Sequence, residues 1–164
     1  MFWTTMILAL GAASLQTSQV RAEDLTQVVH RPGVSHPRAF VAATYARYQA
    51  RPDVPPPDQS YVYSPRLRAL FAAYDRDLSG GDLVGSLDFD WWTNAQDYRI
   101  ANVRLSERRR GADRMTIIAR FDNYGAHEEV RFQFVRVGDR WFLDDATHGG
   151  AEGWTLSALL RERP

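Results

Sequence analysis

The sequence predicts an α+β fold: two N-terminal amphipathic helices packed on a curved four-stranded antiparallel meander, closed by a short C-terminal helix. Three observations carry this. Apolar residues between Pro37 and Leu78 recur at helical spacing, whereas from Ala101 to Asp145 they alternate with polar ones. The links between the alternating runs are short and rich in turn formers, so neighbouring strands fold back as hairpins. Helices and a sheet that each have one apolar side bury both by stacking in two layers.

The elements follow in chain order. Residues 1–22 read as a secretory signal peptide: Phe2 to Leu15 is mostly apolar, and Val20-Arg21-Ala22 has the small-x-small form of a cleavage site. The n-region carries no Lys or Arg, so retention as an anchor is the alternative. Residues 23–36 lack a sustained period, contain Pro32 and Gly33, and are expected to form a flexible arm. Residues 37–164 are expected to form a single domain, in keeping with a chain of 164 residues.

Pro37 opens the first helix, where its missing N–H matters least. Phe40, Val41, Thr44, Tyr45 and Tyr48 mark that helix's inner face. Pro52, Pro55, Pro56 and Pro57 make a stiff link. Ser64-Pro65 starts a second helix with a capping hydroxyl and Pro at its first position. Leu67, Leu70, Phe71, Tyr74 and Leu78 form its apolar stripe, and Gly80-Gly81 ends it.

Four strands then follow. Ala101, Val103 and Leu105 share one face of the first, and Glu107 to Asp113 reads as a charged turn. Met115, Ile117, Ala119 and Phe121 share a face of the second, and Asn123-Tyr124-Gly125 turns the chain. Val130, Phe132 and Phe134 mark the third. Gly138-Asp139 is a two-residue hairpin tip, and Trp141 to Asp145 is the fourth strand. Thr155 to Arg161 forms the closing helix, with Leu156, Leu159 and Leu160 inward.

The seam between the halves, Leu87 to Tyr98, concentrates the chemistry. Leu87 and Phe89 alternate with Asp88 and Asp90, an extended pattern. In an extended chain the adjacent Trp91 and Trp92 point to opposite sides, so one enters the core and the other is free to meet a ligand. Asp88, Asp90, Trp91, Trp92, Gln96 and Asp97 are therefore the candidate ligand-binding residues. The ordinary role of such a stretch is a buried corner whose polar groups satisfy loop backbone.

Composition bounds the remaining chemistry. The formal net charge is zero, which leaves no nucleic-acid footprint. All basic side chains are Arg, and there is no Cys, which excludes disulfides, thiolate metal sites and a Cys nucleophile. Asp75, Asp77 and Ser79, followed by Gly80, match the first half of a calcium loop. The position where that loop needs a bidentate Glu is Ser86. No other cofactor is expected. Asp145 with His148 is a candidate acid–base pair, since a carboxylate beside an imidazole orients it. His30, His36 and His127 lack ligand spacing. Arg108-Arg109-Arg110 reads as a hairpin tip, able to meet anionic envelope polymers or lipid headgroups, although charge runs are usually solvated.

The chain also resembles a bacterial exported family called domain of unknown function 3828. The resemblance runs from about Pro37 to Leu160. It is carried by Tyr45 and Tyr48, by Ser64-Pro65-Arg66-Leu67 with Leu70, and by Leu87-Asp88-Phe89-Asp90 followed by Ala95-Gln96-Asp97. Phe121-Asp122-Asn123, Gly138-Asp139-Arg140-Trp141 and Asp144-Asp145 complete it. Where that family shows Pro after Asp-Phe-Asp, this chain has Trp91. The resemblance implies a cone similar to the cystatin-like or nuclear-transport-factor-2-like folds, and no activity.

The functional expectation is a periplasmic or secreted binding module whose partner is an envelope protein or a small ligand, with no nucleic acid and no membrane span after signal cleavage. An enzyme using carboxylate and His chemistry in a cone pocket, with Asp145 and His148 or Asp88 and Asp90, is the first alternative. An envelope inhibitor is the second. A pocket converging on those carboxylates favours the enzyme; a filled cone favours the module.

Overall fold

Helical and alternating periods resolve into an α+β architecture with one antiparallel sheet of five strands, each lying beside its neighbours in sequence. The computed structural model describes residues 31–51, 54, 56–79, 85–150 and 153–162. The signal peptide, its cleavage site, His30, Gly80-Gly81, and Pro52 and Pro55 of the proline-rich link lie outside these. Among the described residues no helix is long and apolar enough to cross a membrane.

Helix α1 (Pro37–Ala50) begins at Pro37 and buries Val41, Thr44, Tyr45 and Tyr48. A short 3-10 turn, Ser60–Val62, leads to α2 (Pro65–Leu78). Ser64 Oγ accepts from Leu67 N–H at 3.1 Å, a helix cap, and donates to Asp144 Oδ1 at 2.6 Å, tying that helix start to the sheet.

The strands are β1 (Ile100–Arg110), β2 (Arg114–Asn123), β3 (Ala126–Val137), β4 (Arg140–His148) and β5 (Trp154–Thr155). Helix α3 (Leu156–Leu159) follows directly. The fifth strand is an addition to the four expected. Thr155, the first residue of the expected closing helix, and Trp154 before it pair instead with Thr147 and His148.

Met115, Ile117, Ala119 and Phe121 on β2, and Val130, Phe132 and Phe134 on β3, are all buried. They face Val41, Tyr45, Tyr48, Trp91 and Trp92 in one core. Strand β1 departs from expectation twice. A bulge between Ala101 and Arg104, with Asn102 at φ 52°, leaves Ala101 exposed. The strand also continues to Arg110, which pairs with Arg114, so Arg108–Arg110 lie within the ladder and not in the turn.

The outer edge of β4 is covered. Val34 and Trp141 exchange two backbone hydrogen bonds at 2.8 Å, and Ser64 N–H donates to Leu143 O at 2.7 Å. Arg31 to His36, expected within the flexible arm, is thus docked. The Arg140 guanidinium clasps it through Gly33 O and Ser35 Oγ, both at 2.6 Å. Gly33 (φ +75°) lies so close that a Cβ there would sit 2.8 Å from Trp141 O. At the other end of the strand order, β1 has no second neighbouring strand among the described residues.

Candidate functional site

Trp91 and Trp92 are both buried, 7% and 3% exposed, and their rings stack at 5.0 Å. The expected division into one core ring and one ligand-facing ring is corrected. The reason is local: the chain turns at Asp90. Asp90 N–H donates to Ala95 O at 3.0 Å, and Thr93 N–H to Asp90 O at 3.1 Å. Adjacent side chains in a turn are not forced to opposite sides.

Asp90 holds this turn from within. Its Oδ1 accepts from Trp92 N–H at 2.9 Å and its Oδ2 from Tyr48 O–H at 2.5 Å. Burial pushes its carboxyl above the usual range, although both hydrogen bonds pull the other way. Burial likewise raises the Tyr45 phenol, which donates to Trp92 O at 2.7 Å. Asp88, Gln96 and Asp97 are exposed; Gln96 Nε2 reaches Asp88 Oδ2 only at 3.5 Å. The six predicted ligand residues therefore divide between core and surface: Trp91 and Trp92 are buried, Asp90 half-buried, and Asp88, Gln96 and Asp97 exposed.

The pair Asp145 and His148 does not form; each carboxylate and imidazole has another partner. Asp145 Oδ1 accepts from Ala146 N–H at 2.9 Å and Ser157 N–H at 3.0 Å. Its Oδ2 accepts from Ser157 Oγ at 2.6 Å and Arg66 at 3.3 Å. It anchors α3. The adjacent Asp144 lies below the usual carboxylate range: partial burial raises it, but Arg66 and Ser64 hydrogen bonds outweigh that.

His148 instead meets Glu128. Its Nε2 lies 2.7 Å from Glu128 Oε2, which also accepts from Asn94 Nδ2 at 3.1 Å. Trp154 Nε1 donates to Asn94 Oδ1 at 2.7 Å, and the Trp154 ring stacks on the imidazole at 6.0 Å. His148 Nδ1 is buried without a partner among the described residues. Glu128 escaped the sequence reading, yet a signal existed. Alternation from Val130, Phe132 and Phe134 places it on the apolar face of β3.

Asp75 and Asp77 lie within α2, where residues two apart point roughly 200° apart around the axis. Ser79 Oγ donates to Asp75 O at 2.7 Å. Asp75 and Asp77 thus point to different sides of α2, and the rest of the half-loop, from Gly80, lies outside the described residues. The described residues contain no group of three or more His, Asp or Glu placed to hold a metal.

The sheet's outer face brings together what the sequence kept apart. Across the register, Arg104 stands opposite Arg120, which stands opposite Glu129. The next row is Ser106, Ile118, Arg131 and Thr147; then come Arg108, Thr116, Gln133 and Asp145; then Arg110, Arg114 and Val135. Arg104, Arg108, Arg110, Arg114, Arg120 and Arg131 are all exposed. Glu129 takes Arg120 and Arg131, each at 2.6 Å; these ion pairs overcome partial burial and hold its carboxyl low. Among the described residues the other four arginines have no carboxylate within ion-pair distance.

At the Arg104 end this face opens into a cleft of about 790 Å³, lined by Arg104, Arg120 and Arg131, by the carboxylates Asp122, Glu128 and Glu129, and by His127 and His148. Asp122, on its wall, is bound by Asn102 Nδ2 at 2.6 Å and His127 Nδ1 at 2.5 Å, contacts that hold its carboxyl low. The β1 bulge positions Asn102 for this.

No protein-family model, curated protein or solved structure matches the chain.

Proposed function

We propose that the protein is an exported binding module of the cell envelope, and that its ligand-facing surface is the outer sheet face with its cleft, specific for anionic groups. One observation carries the reading. Arg110 and Arg114, neither with a carboxylate partner among the described residues, are directly opposed across β1 and β2, as are Arg104 and Arg120, of which Arg120 is paired with Glu129. Like charges so placed destabilise the free sheet. A protein departs from favourable pairing chiefly where a function needs it, and an anion between two guanidinium forks relieves the repulsion through charge-assisted hydrogen bonds.

The interior supports a module over an enzyme. Tyr45, Tyr48, Trp91, Trp92, Phe121 and Phe132 fill the space between helices and sheet. The apolar run Phe2 to Leu15 and the Val20-Arg21-Ala22 site support export.

The test is Arg104→Gln. Removing one member of an opposed pair stabilises the free protein by about 0.2–1 kcal/mol while weakening galacturonate or inorganic phosphate in calorimetric titration. A stability gain without any change in anion affinity, or no anion binding by the wild type, contradicts the reading.

A further inference from the structure

We propose that the anion bound on this face is a carboxylate-bearing polysaccharide, laid along the β1–β2 arginine ladder with one sugar unit in the cleft. This rests on reading the face as an anion site, and goes beyond it in the size and class of the ligand.

Length is the first argument. Arg104, Arg108 and Arg110 follow one another along β1, and Arg120 and Arg114 bracket the same span on β2. At about 3.4 Å per residue the ladder covers roughly 20 Å. A small anion engages one end of it. Only a ligand with repeating charges satisfies both opposed pairs.

The residues between the charges indicate the chemistry. Ser106, Thr116, Gln133 and Thr147 stand in the rows among the arginines. Hydroxyl and amide groups that both donate and accept suit a polyhydroxylated chain. The planar fork of Arg binds a carboxylate bidentately, as it does a phosphate.

Two other polyanions fit less well. Single-stranded nucleic acid binds over aromatic stacking platforms, and no aromatic residue stands in the rows between Arg104 and Arg114 on β1 and β2. An anionic bilayer takes charges together with apolar residues that insert beside them. The exposed large hydrophobics among the described residues are Val54, Tyr124 and Val137. Tyr124 lies in the β2–β3 turn and Val137 beside the β3–β4 turn, at opposite ends of the sheet.

The experiment measures binding of the full chain to galacturonate, to oligogalacturonates of increasing length and to polygalacturonate, with neutral dextran as control. Single-stranded DNA and phosphatidylglycerol vesicles run alongside. Affinity should climb with length until the oligomer spans the ladder, then level off, and should fall as salt rises. The variant Arg108→Gln/Arg110→Gln/Arg114→Gln changes exposed side chains outside the cleft. It should lose about tenfold or more in polymer affinity, with galacturonate binding in the cleft retained and the melting temperature unchanged or raised, since an opposed like-charge pair is removed. Polymer affinity unchanged in that variant, or DNA or vesicles bound as tightly as polygalacturonate, overturns the proposal. Galacturonate binding without any gain on lengthening overturns it while leaving the anion site standing. Absence of binding to monomer and polymer alike removes both.

Discussion

Replacing Trp92 by Ala removes a ring that is 3% exposed and packs 4.4 Å from Phe132 and 5.0 Å from Trp91, centroid to centroid. A buried Trp covers roughly 200 Å². At about 25 cal/mol per Å² that is about 5 kcal/mol, an upper value because the unfolded chain is itself partly collapsed. Cavity data for large aromatic truncations bracket the same loss at about 3–5 kcal/mol. Trp91→Ala should fall in the same range, since its ring is 7% exposed and touches Trp92 and Phe132. Domains of this size have about 5–15 kcal/mol in total, so either variant should lose a large share. Urea unfolding followed by far-UV circular dichroism reads this as a shift of about 2 M in midpoint at constant slope. A loss below about 1 kcal/mol in either variant would show that its ring lies outside the core, and the stacked pair under the Asp90 turn would be wrong.

Other consequences are equally open to measurement. Gly33→Ala meets Trp141 O at 2.8 Å in a left-handed backbone and should destabilise by about 1–3 kcal/mol, with faster proteolysis ahead of α1. Two carboxylates give opposite pH signatures. Asp144 is held low by Arg66 and Ser64 against partial burial. Its contribution is present above the unfolded value of about 3.9 and vanishes as pH falls through the lower folded value, so Asp144→Asn flattens acid denaturation. Asp90 is raised by burial, so it binds its proton more tightly folded than unfolded. Stability declines as pH rises from about 3.9 through the folded value, and Asp90→Asn abolishes that decline. A potentiometric or fluorescence stability curve in which both variants track the wild type would refute the two assignments.

Legibility in the sequence followed the strength of local signals. Ser64-Pro65 and Gly138-Asp139 were readable because a cap and a two-residue turn demand particular residues at fixed positions. Met115 to Phe121 was readable because one face of β2 is buried along its length. Arg108–Arg110 was not: an edge strand exposed on both sides has no apolar alternation to betray it. Trp91 and Trp92 misled because adjacency constrains direction only in an extended chain, and the Asp90 turn bends it. The catalytic pairing of Asp145 with His148 failed for a related reason. Nearness in sequence places them on one strand, but the β4 bulge between Leu143 and Asp145 and the α3 anchor assign them different neighbours. The opposed arginines depend on pairing between strands, which no single segment records.

The central claim is that anions land on the uncovered sheet face and not between helices and sheet. The most direct measurement is a ¹H–¹⁵N spectrum of arginine Nε–H and tryptophan indole N–H groups during galacturonate titration. The account predicts saturable shifts at Arg104, Arg120 and Arg131, with the Trp91 and Trp92 indoles unmoved. Shifts at those indoles with silent arginines would contradict it.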